Sequence, residues 1–534
     1  MQDTLASPSP SQDAGGGYGG GRLDRVMGGL ERLGNRLPHP FYLFTALFAL
    51  LAVVSTALAW VNAGVTVPGT NERLPIHGLL TGDGISWFLE NALTNFTGFP
   101  PLGTVLLMMM AVGVAERTGL LETAVRATVA RAPKWLLPYV VAFVACQGHV
   151  MSDIALLVIP PLAALVFKAA GRHPVAGLIG AFACVCAGYS AGFTVGALDA
   201  LYAGITEKVA AVLPAGQDAP THLLVNYFFT ASASVVLALI GGFLTARVLE
   251  PRLPALGTAE SSDGSAGEKT AEPSSDEPAG ISAEQKRGLL WATSAVCAYA
   301  VIVLVAWLLP GSPLRGEGGA LVPSPALSGI VPILFGAFVI AGTVFGVKAR
   351  TVTHPNYIPK MMGESVTSMS GYIVLILVIA QFIAVFTWSN LGTLLAVEGA
   401  ELLKSAGLTG FTALVLFVLV VSVLNMLISS GSALWSLMAP VFVPTFMLIG
   451  MSPALTLAAF RIADSATQMI SPLNPYLFLS LALMRRYEPG AQLGTLMSRL
   501  AIYVLPFIGA WLAVLGIFYA FDLPLGPGAG IGLP

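Results

Sequence analysis

The side chains best suited to chemistry in this chain are charged groups within long apolar segments. Arg461 and Asp464 are three residues apart on one predicted helix, so they share a face and can meet. Asp199 lies in a segment that is otherwise apolar from Phe193 to Leu201. Ionisable groups at membrane depth are costly and are functional candidates by default. A forked guanidinium suits a carboxylate, so Arg461 predicts a bound anionic group; a purely structural Arg461–Asp464 ion pair is the alternative.

Asp199 and a second carboxylate, Asp153, are candidates to carry a coupling ion. A buried carboxylate tends to take up a proton, which suits Asp199 to proton carriage or cation binding. The alternative places Asp199 near the outer surface, because Glu207 and Lys208 follow within about two turns. Asp153 is a similar candidate, although it could simply reach cytoplasmic water.

Trp435 and three serines form a polar tip within another apolar stretch. Tryptophan usually anchors a chain at the membrane interface, and a tip at mid-membrane depth is the wrong place for that role. Trp435 therefore predicts stacking on an aromatic solute, with packing against a neighbouring helix as the alternative. Ser429, Ser430 and Ser432 predict polar contacts to the solute, with ordinary helix capping as the alternative.

Two stretches share the layout that would position these residues. Each has an apolar run interrupted by a polar tip, followed by a long apolar run broken by Gly or Pro around an acidic residue. The first tip is 146–153 with its break at 188–196, and the second is 429–435 with its break at 464–475. Backbone that is not helical must be buried in protein or line a wet cavity, so the matched interruptions predict one buried solute site, as in a secondary transporter.

The composition indicates a polytopic membrane protein. Of 534 residues, 55% are hydrophobic and 10% are charged, which excludes a water-soluble globule, and the net charge of −2 gives no reason to expect nucleic acid. The predicted fold is an all-α polytopic membrane protein with nine transmembrane helices and two re-entrant hairpins in two inverted repeats. The hairpins are 136–168 and 409–450, because arms of about 15 residues are too short to cross the hydrocarbon core. The predicted crossings are 41–63, 102–118, 174–206, 222–247, 288–309, 327–347, 368–392, 453–484 and 500–521.

The distribution of basic residues sets the predicted orientation. Most of the 26 lysines and arginines fall on one side when the N-terminus is placed inside, as the positive-inside rule requires of a bacterial inner-membrane protein. The C-terminus is then outside, and the two hairpins enter from opposite sides, as inverted repeats require. The predicted parts are a disordered cytoplasmic tail with a basic pre-helix segment (1–40), a first membrane half (41–254), a flexible cytoplasmic linker (255–285) and a second membrane half (286–534).

A set of short motifs occurs in a fixed order along the chain. The motifs are 99–104 (FPPLGT), 152–153 (SD), 171–174 (GRHP), 199–201 (DAL), 203–206 (AGIT), 439–444 (APVFVP), 461–465 (RIADS) and 471–476 (SPLNPY). From about Phe99 to Pro527 the chain therefore resembles the p-aminobenzoyl-glutamate transporter (AbgT) family. The resemblance implies a homodimer with nine crossings and two hairpins per subunit. It also implies ion-coupled movement of p-aminobenzoyl-glutamate or export of sulfonamide-like antimetabolites.

The same resemblance implies which positions bind solute or couple its movement to an ion. The family more often has Asn at the positions of Gly192 and Gln468, and Gly at that of Ala463. Losing a short amide near each break favours a proton over sodium as the coupling ion, and no other cofactor is expected. The implied positions are Asp199, Ser432, Trp435, Arg461, Asp464 and Pro472.

The predicted function is therefore ion-coupled transport of an aromatic, amino-acid-like anion, with Arg461 on a carboxylate, Trp435 on the ring, and Asp199 and Asp464 titrating or coordinating. If Asp199 does not carry the ion, the ion is to be sought near Ser190 and Gln468.

Two other functions are weighed against this prediction. An ion-coupled carrier of dicarboxylates or other small organic acids could use a similar hairpin architecture, and Trp435 argues against it. An intramembrane hydrolase could use Ser190, which lies in a G-x-S-x-G run at 188–192. A nucleophile elbow needs a strand-to-helix turn and a His partner, so no enzymatic activity is expected.

Overall fold

The structure is a computed structural model that describes residues 40–66, 73–129, 132–151, 153–253, 281–319, 324–428, 430–471 and 474–533. The predicted tail and linker fall almost wholly outside these ranges, as do Ser429 and Pro472. The described residues are mainly helical, as predicted. They also include one unpredicted antiparallel pair of short strands, β1 (Gly64–Thr66) and β2 (Arg73–Pro75).

The helices of the first membrane half range from 4 to 21 residues. In chain order they are α1 (Pro40–Trp60), α2 (Gly82–Thr97), α3 (Pro100–Arg117), α4 (Leu120–Val129), α5 (Leu137–Cys146), α6 (Ile154–Ala169), α7 (Pro174–Ala187), α8 (Ala197–Ala210), the short α9 (Pro214–Gln217) and α10 (Tyr227–Phe243).

The helices of the second membrane half range from 4 to 28 residues. In chain order they are α11 (Ala283–Leu308), the short α12 (Pro325–Ser328), α13 (Ile330–Lys348), α14 (Tyr357–Ser368), α15 (Ser370–Trp388), α16 (Leu391–Ser405), α17 (Phe411–Asn425), α18 (Gly431–Met447), α19 (Pro453–Gln468), α20 (Pro475–Arg485) and α21 (Leu493–Ala520).

Seven helical segments of the described chain are long and apolar enough to cross a membrane, and each overlaps a predicted crossing. They are α1, α2 with α3, α10 with its extension to Arg252, α11, α13, α15 and α21; an eighth arises if α16 and α17, which bend by 116°, count as one span. The other two predicted crossings, 174–206 and 453–484, are each divided into two shorter helices. The total of nine crossings therefore stays a prediction.

Both divided crossings contain a break where the sequence predicted one. The first separates α7 from α8 across 188–196, as expected. The second begins later than predicted, because α19 continues to Gln468 and keeps Asp464 inside the helix. Every residue of α7 and of α19 is buried, and the two helices contact each other, which places them in the core of the bundle.

The two predicted hairpins each consist of two helices joined at a polar tip. In 136–168, α5 and α6 flank a 3₁₀ turn at Gln147–Met151. In 409–450, α17 and α18 flank a short non-helical tip. The four helices have 10, 16, 15 and 17 residues, fewer than the roughly 20 that a crossing requires. These lengths favour hairpins that turn back, and their depth in the bilayer stays a prediction.

After α21 the chain contacts the start of α10 and the loop that precedes it. The backbone N–H of Phe229 donates to the carbonyl of Leu525 at 3.1 Å. His222 is partly buried there, with its Nε2 atom 2.8 Å from the carbonyl oxygen of Pro527. The C-terminal segment therefore closes over one end of the helix bundle.

Candidate functional site

The tip of the first hairpin packs directly on the first helix break. The Nε2 atom of His149 lies 2.8 Å from the carbonyl oxygen of Thr194, and the backbone N–H of Phe193 donates to Gln147 Oε1 at 2.8 Å. A β-carbon at Gly192 would overlap the His149 imidazole, so this contact requires glycine. Side chains of the tip thus satisfy backbone groups that the break leaves without helical partners.

The tip of the second hairpin packs against α19. Ser430 is the N-cap of α18, and its hydroxyl accepts a hydrogen bond from the backbone N–H of Ala433. A β-carbon at Gly431 would overlap the Tyr202 hydroxyl and lie 2.7 Å from a carboxylate oxygen of Asp464. The start of α18 therefore lies against Asp464, where the positive end of a helix dipole stabilises a negative charge.

Arg461 forms its ion pair with Asp199, so the structure differs from the alternative of a purely structural Arg461–Asp464 pair. The Nη1 atom of Arg461 lies 2.7 Å from Asp199 Oδ1, and the two side chains are 2% and 16% exposed. Asp199 Oδ2 also accepts from the backbone N–H of Gly196 at 2.8 Å, so this carboxylate caps α8 at the first break. Asp199 is thus a paired carboxylate between the two halves, not one exposed at an outer surface.

Tyr202 connects the charged groups of this site. Its hydroxyl donates to Asp464 Oδ2 at 2.7 Å, and its ring lies 5.4 Å from the guanidinium carbon of Arg461. The indole N–H of Trp435 donates to the Tyr202 carbonyl at 3.3 Å and to Thr206 Oγ1 at 3.2 Å. Sequence reasoning missed Tyr202, because an aromatic residue in an apolar helix has the pattern of a core residue. We refer to Asp199, Tyr202, Arg461 and Asp464 as the charged cluster.

Trp435 is fully buried and faces protein. Its ring centroid lies 4.5 Å from that of Phe460 on α19. This arrangement agrees with the helix-packing alternative and differs from the predicted contact with a solute ring. The cause is the register of α18, which turns this position toward α8 and α19.

A cavity of about 500 Å³ lies next to the charged cluster. Pockets of this size accommodate drug-sized ligands. Gly431 lines the cavity and also contacts Asp464, so the charged cluster lies directly behind this part of the wall. Both hairpin tips, the first break and the helix ends that flank the second break contribute to the wall, and α3 contributes Glu116. The residues from the tips, the break and these helix ends are Asp153, Ser430, Ser432, Tyr189, Gln468 and Tyr476.

The predicted site residues therefore divide into two groups. Asp153, Ser430 and Ser432 line the cavity, whereas Asp199, Trp435, Arg461 and Asp464 lie behind or beside its described wall. Sequence reasoning missed Glu116, Tyr189 and Tyr476, because a helix-end glutamate and tyrosines in apolar runs carry no distinctive local pattern.

Several buried polar atoms near the tips and breaks have no hydrogen-bond partner in the described part of the chain. For Arg461 this atom is Nε, which leaves a donor of the guanidinium fork available to a second acceptor. Unsatisfied buried groups are rare in proteins and commonly mark functional positions. The described residues include no group of three or more His, Cys, Asp or Glu that could hold a metal ion. The other unpartnered atoms here are Gln147 Nε2, Ser190 Oγ, Asn425 Oδ1, Ser465 Oγ and Gln468 Oε1.

Comparison with known proteins places this arrangement in context. Residues 25–533 match the AbgT putative transporter family. The chain is 36% identical over 506 residues to the p-aminobenzoyl-glutamate transport protein of Escherichia coli strain K12, covering 94% of this chain and 96% of that protein.

Two solved structures are similar over nearly the whole chain. The YdaH transporter of Alcanivorax borkumensis has a TM-score of 0.81 and 34% identity, with 92% of this chain and all of that chain covered. Neisseria gonorrhoeae MtrF, described with a class of antimetabolite efflux pumps, has a TM-score of 0.86 and 35% identity, with 95% of this chain and all of that chain covered. These relatives are transporters and not enzymes, which argues against a hydrolase at Ser190.

Proposed function

Because this chain belongs to the AbgT family of membrane transporters, as the sequence motifs predicted, we propose that it is an ion-coupled secondary transporter of p-aminobenzoyl-glutamate or related aromatic anions. Export of sulfonamide-like antimetabolites is part of this proposal, since one similar structure belongs to a class of antimetabolite efflux pumps. The observation that carries the proposal is the buried Arg461–Asp199 pair, which joins the first break to α19 beside a cavity.

Arg461 offers a binding site for a solute carboxylate. Its guanidinium forms a charge-assisted bond to Asp199 on one side and has an unpartnered Nε atom. A carboxylate of the solute has the same chemistry as Asp199 and can replace it on the guanidinium fork. Because Gly431 separates the cavity from the charged cluster, we propose that the tip of the second hairpin shifts to admit this carboxylate.

The coupling ion in this proposal is a proton on Asp199. When the solute carboxylate takes Arg461, Asp199 loses its counter-ion, and a carboxylate at membrane depth is then stabilised by taking up a proton. Solute and proton therefore bind together. Sodium is the alternative ion, and Ser190 and Gln468, each with an unpartnered buried oxygen, are the residues to test for it.

The cavity also favours an aromatic solute over a small dicarboxylate. Trp435 does not line the described wall, so it does not account for a preference for an aromatic solute. Tyr189 and Tyr476 line it instead, together with Met109 and Met151. Aromatic and thioether groups pack well on an aryl ring, which a dicarboxylate lacks.

We propose nine crossings and two re-entrant hairpins in a homodimer in the bacterial inner membrane, with the N-terminus inside and the C-terminus outside. Seven long helices and two divided ones make up the nine crossings. Helix α11 is apolar and almost entirely exposed in one protomer, so lipid or a second subunit must cover it.

Vesicles containing the purified protein test the transport proposal. A proton gradient imposed alone should drive p-aminobenzoyl-glutamate against its concentration gradient, and a sodium gradient imposed alone should not. An excess of succinate should leave this transport unchanged. Movement driven by neither gradient, or full inhibition by succinate, would contradict the proposal.

A further inference from the structure

The cavity has the wrong charge for the anionic end of a solute. Of the described residues that line it, Glu116 and Asp153 are acidic and none is basic. An anion that entered would meet like charges and no cation, and Arg461 lies outside the described wall. The cavity is therefore suited to a different part of the solute.

The wall of the cavity also has more hydrogen-bond acceptors than free donors. Asp153 is exposed to the cavity, and its Oδ1 atom accepts from the Tyr189 hydroxyl at 2.8 Å. Gln468 is only 8% exposed, lines the cavity, and has an unpartnered Oε1 atom. The hydroxyls of Ser430 and Ser432 lie 3.0 Å apart and bond to each other. Ionised carboxylates accept hydrogen bonds and cannot donate them, so this surface is complementary to a ligand with N–H donors.

Asp153 is the acceptor that the geometry favours. It lies at the tip of the first hairpin, where Tyr189 of the first break and Tyr476 at the start of α20 both interact with its carboxylate. The two oxygens of a carboxylate offer about four acceptor positions, so these two hydroxyls leave positions for a ligand. The tyrosine rings beside it provide the surface on which an aryl group attached to the donor would pack.

Resting on the proposed function, we infer that Asp153 binds the primary amine of an arylamine solute and selects for that group. The solute enters with its amine on Asp153 and its ring between the tyrosines of the cavity. Its acidic end then points toward Arg461 behind Gly431. Asp153 thereby becomes a solute-binding residue, whereas the sequence alone suggested ion coupling.

Replacing the amine of the ligand by a methyl group tests this assignment. The full-length purified protein is titrated calorimetrically with p-aminobenzoyl-glutamate and with p-methylbenzoyl-glutamate, which has nearly the same shape but no donor. The native protein should prefer the amine on the order of tenfold, because hydrogen bonds to charged groups are the strong ones. Asp153→Asn should reduce this preference to about twofold.

Glu116→Gln is the matched control, since it removes one negative charge from the same cavity. It should change the affinity for both ligands by the same factor and keep the tenfold preference. Asparagine at position 153 can still accept from Tyr189, so the Asp153→Asn variant should fold, which its size-exclusion profile checks. An unchanged preference in Asp153→Asn, or no preference in the native protein, overturns the inference.

A second ligand pair separates this inference from the proposed function. Sulfanilamide and p-toluenesulfonamide differ by the same amine-to-methyl change and lack the glutamate. If p-aminobenzoyl-glutamate is not transported but sulfanilamide is still preferred through Asp153, the amine site stands and the proposed solute is wrong. If p-aminobenzoyl-glutamate is transported without amine preference, the inference alone fails. Failure of both arylamines to bind overturns the inference as well.

Discussion

Asp199→Asn removes one charge from the buried pair with Arg461 and keeps the size of the side chain. The two groups are 2.7 Å apart, and Arg461 is 2% exposed, so its buried charge would lose the partner of its ion pair. Breaking a buried pair in this way typically costs about 3–5 kcal/mol. Asp199 is itself 16% exposed and the amide retains an acceptor, so we expect the lower end, about 3 kcal/mol.

Binding of the solute should restore part of the stability that Asp199→Asn loses. In Asp199→Asn the carboxylate that forms the ion pair with Arg461 no longer competes with the solute, so the affinity for p-aminobenzoyl-glutamate should rise, by about a hundredfold at most if the full cost is recovered. The assay is thermal unfolding in detergent with and without solute, together with calorimetric titration. The ligand should raise the unfolding temperature of the variant more than that of the native protein.

Transport by the same variant tests the coupling. An amide cannot take up the proton, so a proton gradient should no longer drive transport. Arg461→Lys is the complementary control, because an ammonium keeps the charge but loses the fork, so binding weakens while coupling survives. Normal gradient-driven transport by Asp199→Asn would refute proton coupling through this carboxylate. A fall in solute affinity alongside the fall in stability would refute the exchange of carboxylates on Arg461.

Three other changes test the packing of the site and of the C-terminal segment. Trp435→Ala should lower the free energy of unfolding by about 3–5 kcal/mol and weaken binding of p-aminobenzoyl-glutamate and free glutamate by the same factor. If only the binding of p-aminobenzoyl-glutamate weakened, the result would support stacking of Trp435 on the solute ring. Gly431→Ala should lower both the unfolding temperature and solute affinity, because its methyl group overlaps the Tyr202 hydroxyl, whereas Gly509→Ala, which has open space at this position, should preserve both. Burial lowers the pKa of His222 below its ordinary value of about 6.5, so the unfolded chain binds more protons. Stability should therefore decrease as the pH falls below that value, and His222→Gln should flatten the dependence measured by thermal unfolding across pH; an unchanged slope would remove His222 from this role.

The sequence predicted those features whose causes are local. Glycines and a polar run mark the first break at 188–196, and hairpin arms too short to cross the bilayer are visible in the lengths of the apolar runs. The second break begins later than predicted, since α19 continues to Gln468. Within that helix the carboxylate of Asp464 accepts a hydrogen bond from Tyr202, a partner that the local sequence does not reveal.

The contacts between distant parts of the chain could not be predicted in this way. The spacing of Arg461 and Asp464 shows only that they share a helix face, whereas the partner of Arg461 lies 262 residues earlier. Trp435 was assigned to a solute because of its depth, but depth does not determine which neighbour an indole contacts. Glu116 and Tyr476 reach the cavity only through the packing of their helices, which no local pattern encodes.

The Asp199–Arg461 pair also determines how the two halves can be coupled. Helices α7 and α19 are the buried helices that precede the two breaks. The two membrane halves contribute different charges to the charged cluster. The first half contributes the carboxylate of Asp199 and the second the guanidinium of Arg461. Any movement of one half past the other must separate this pair at membrane depth, which is costly unless each charge is compensated. In the proposed function, a proton on Asp199 and a solute carboxylate on Arg461 together provide that compensation, so we propose this pair, and not the cavity wall, as the place where ion and solute are linked.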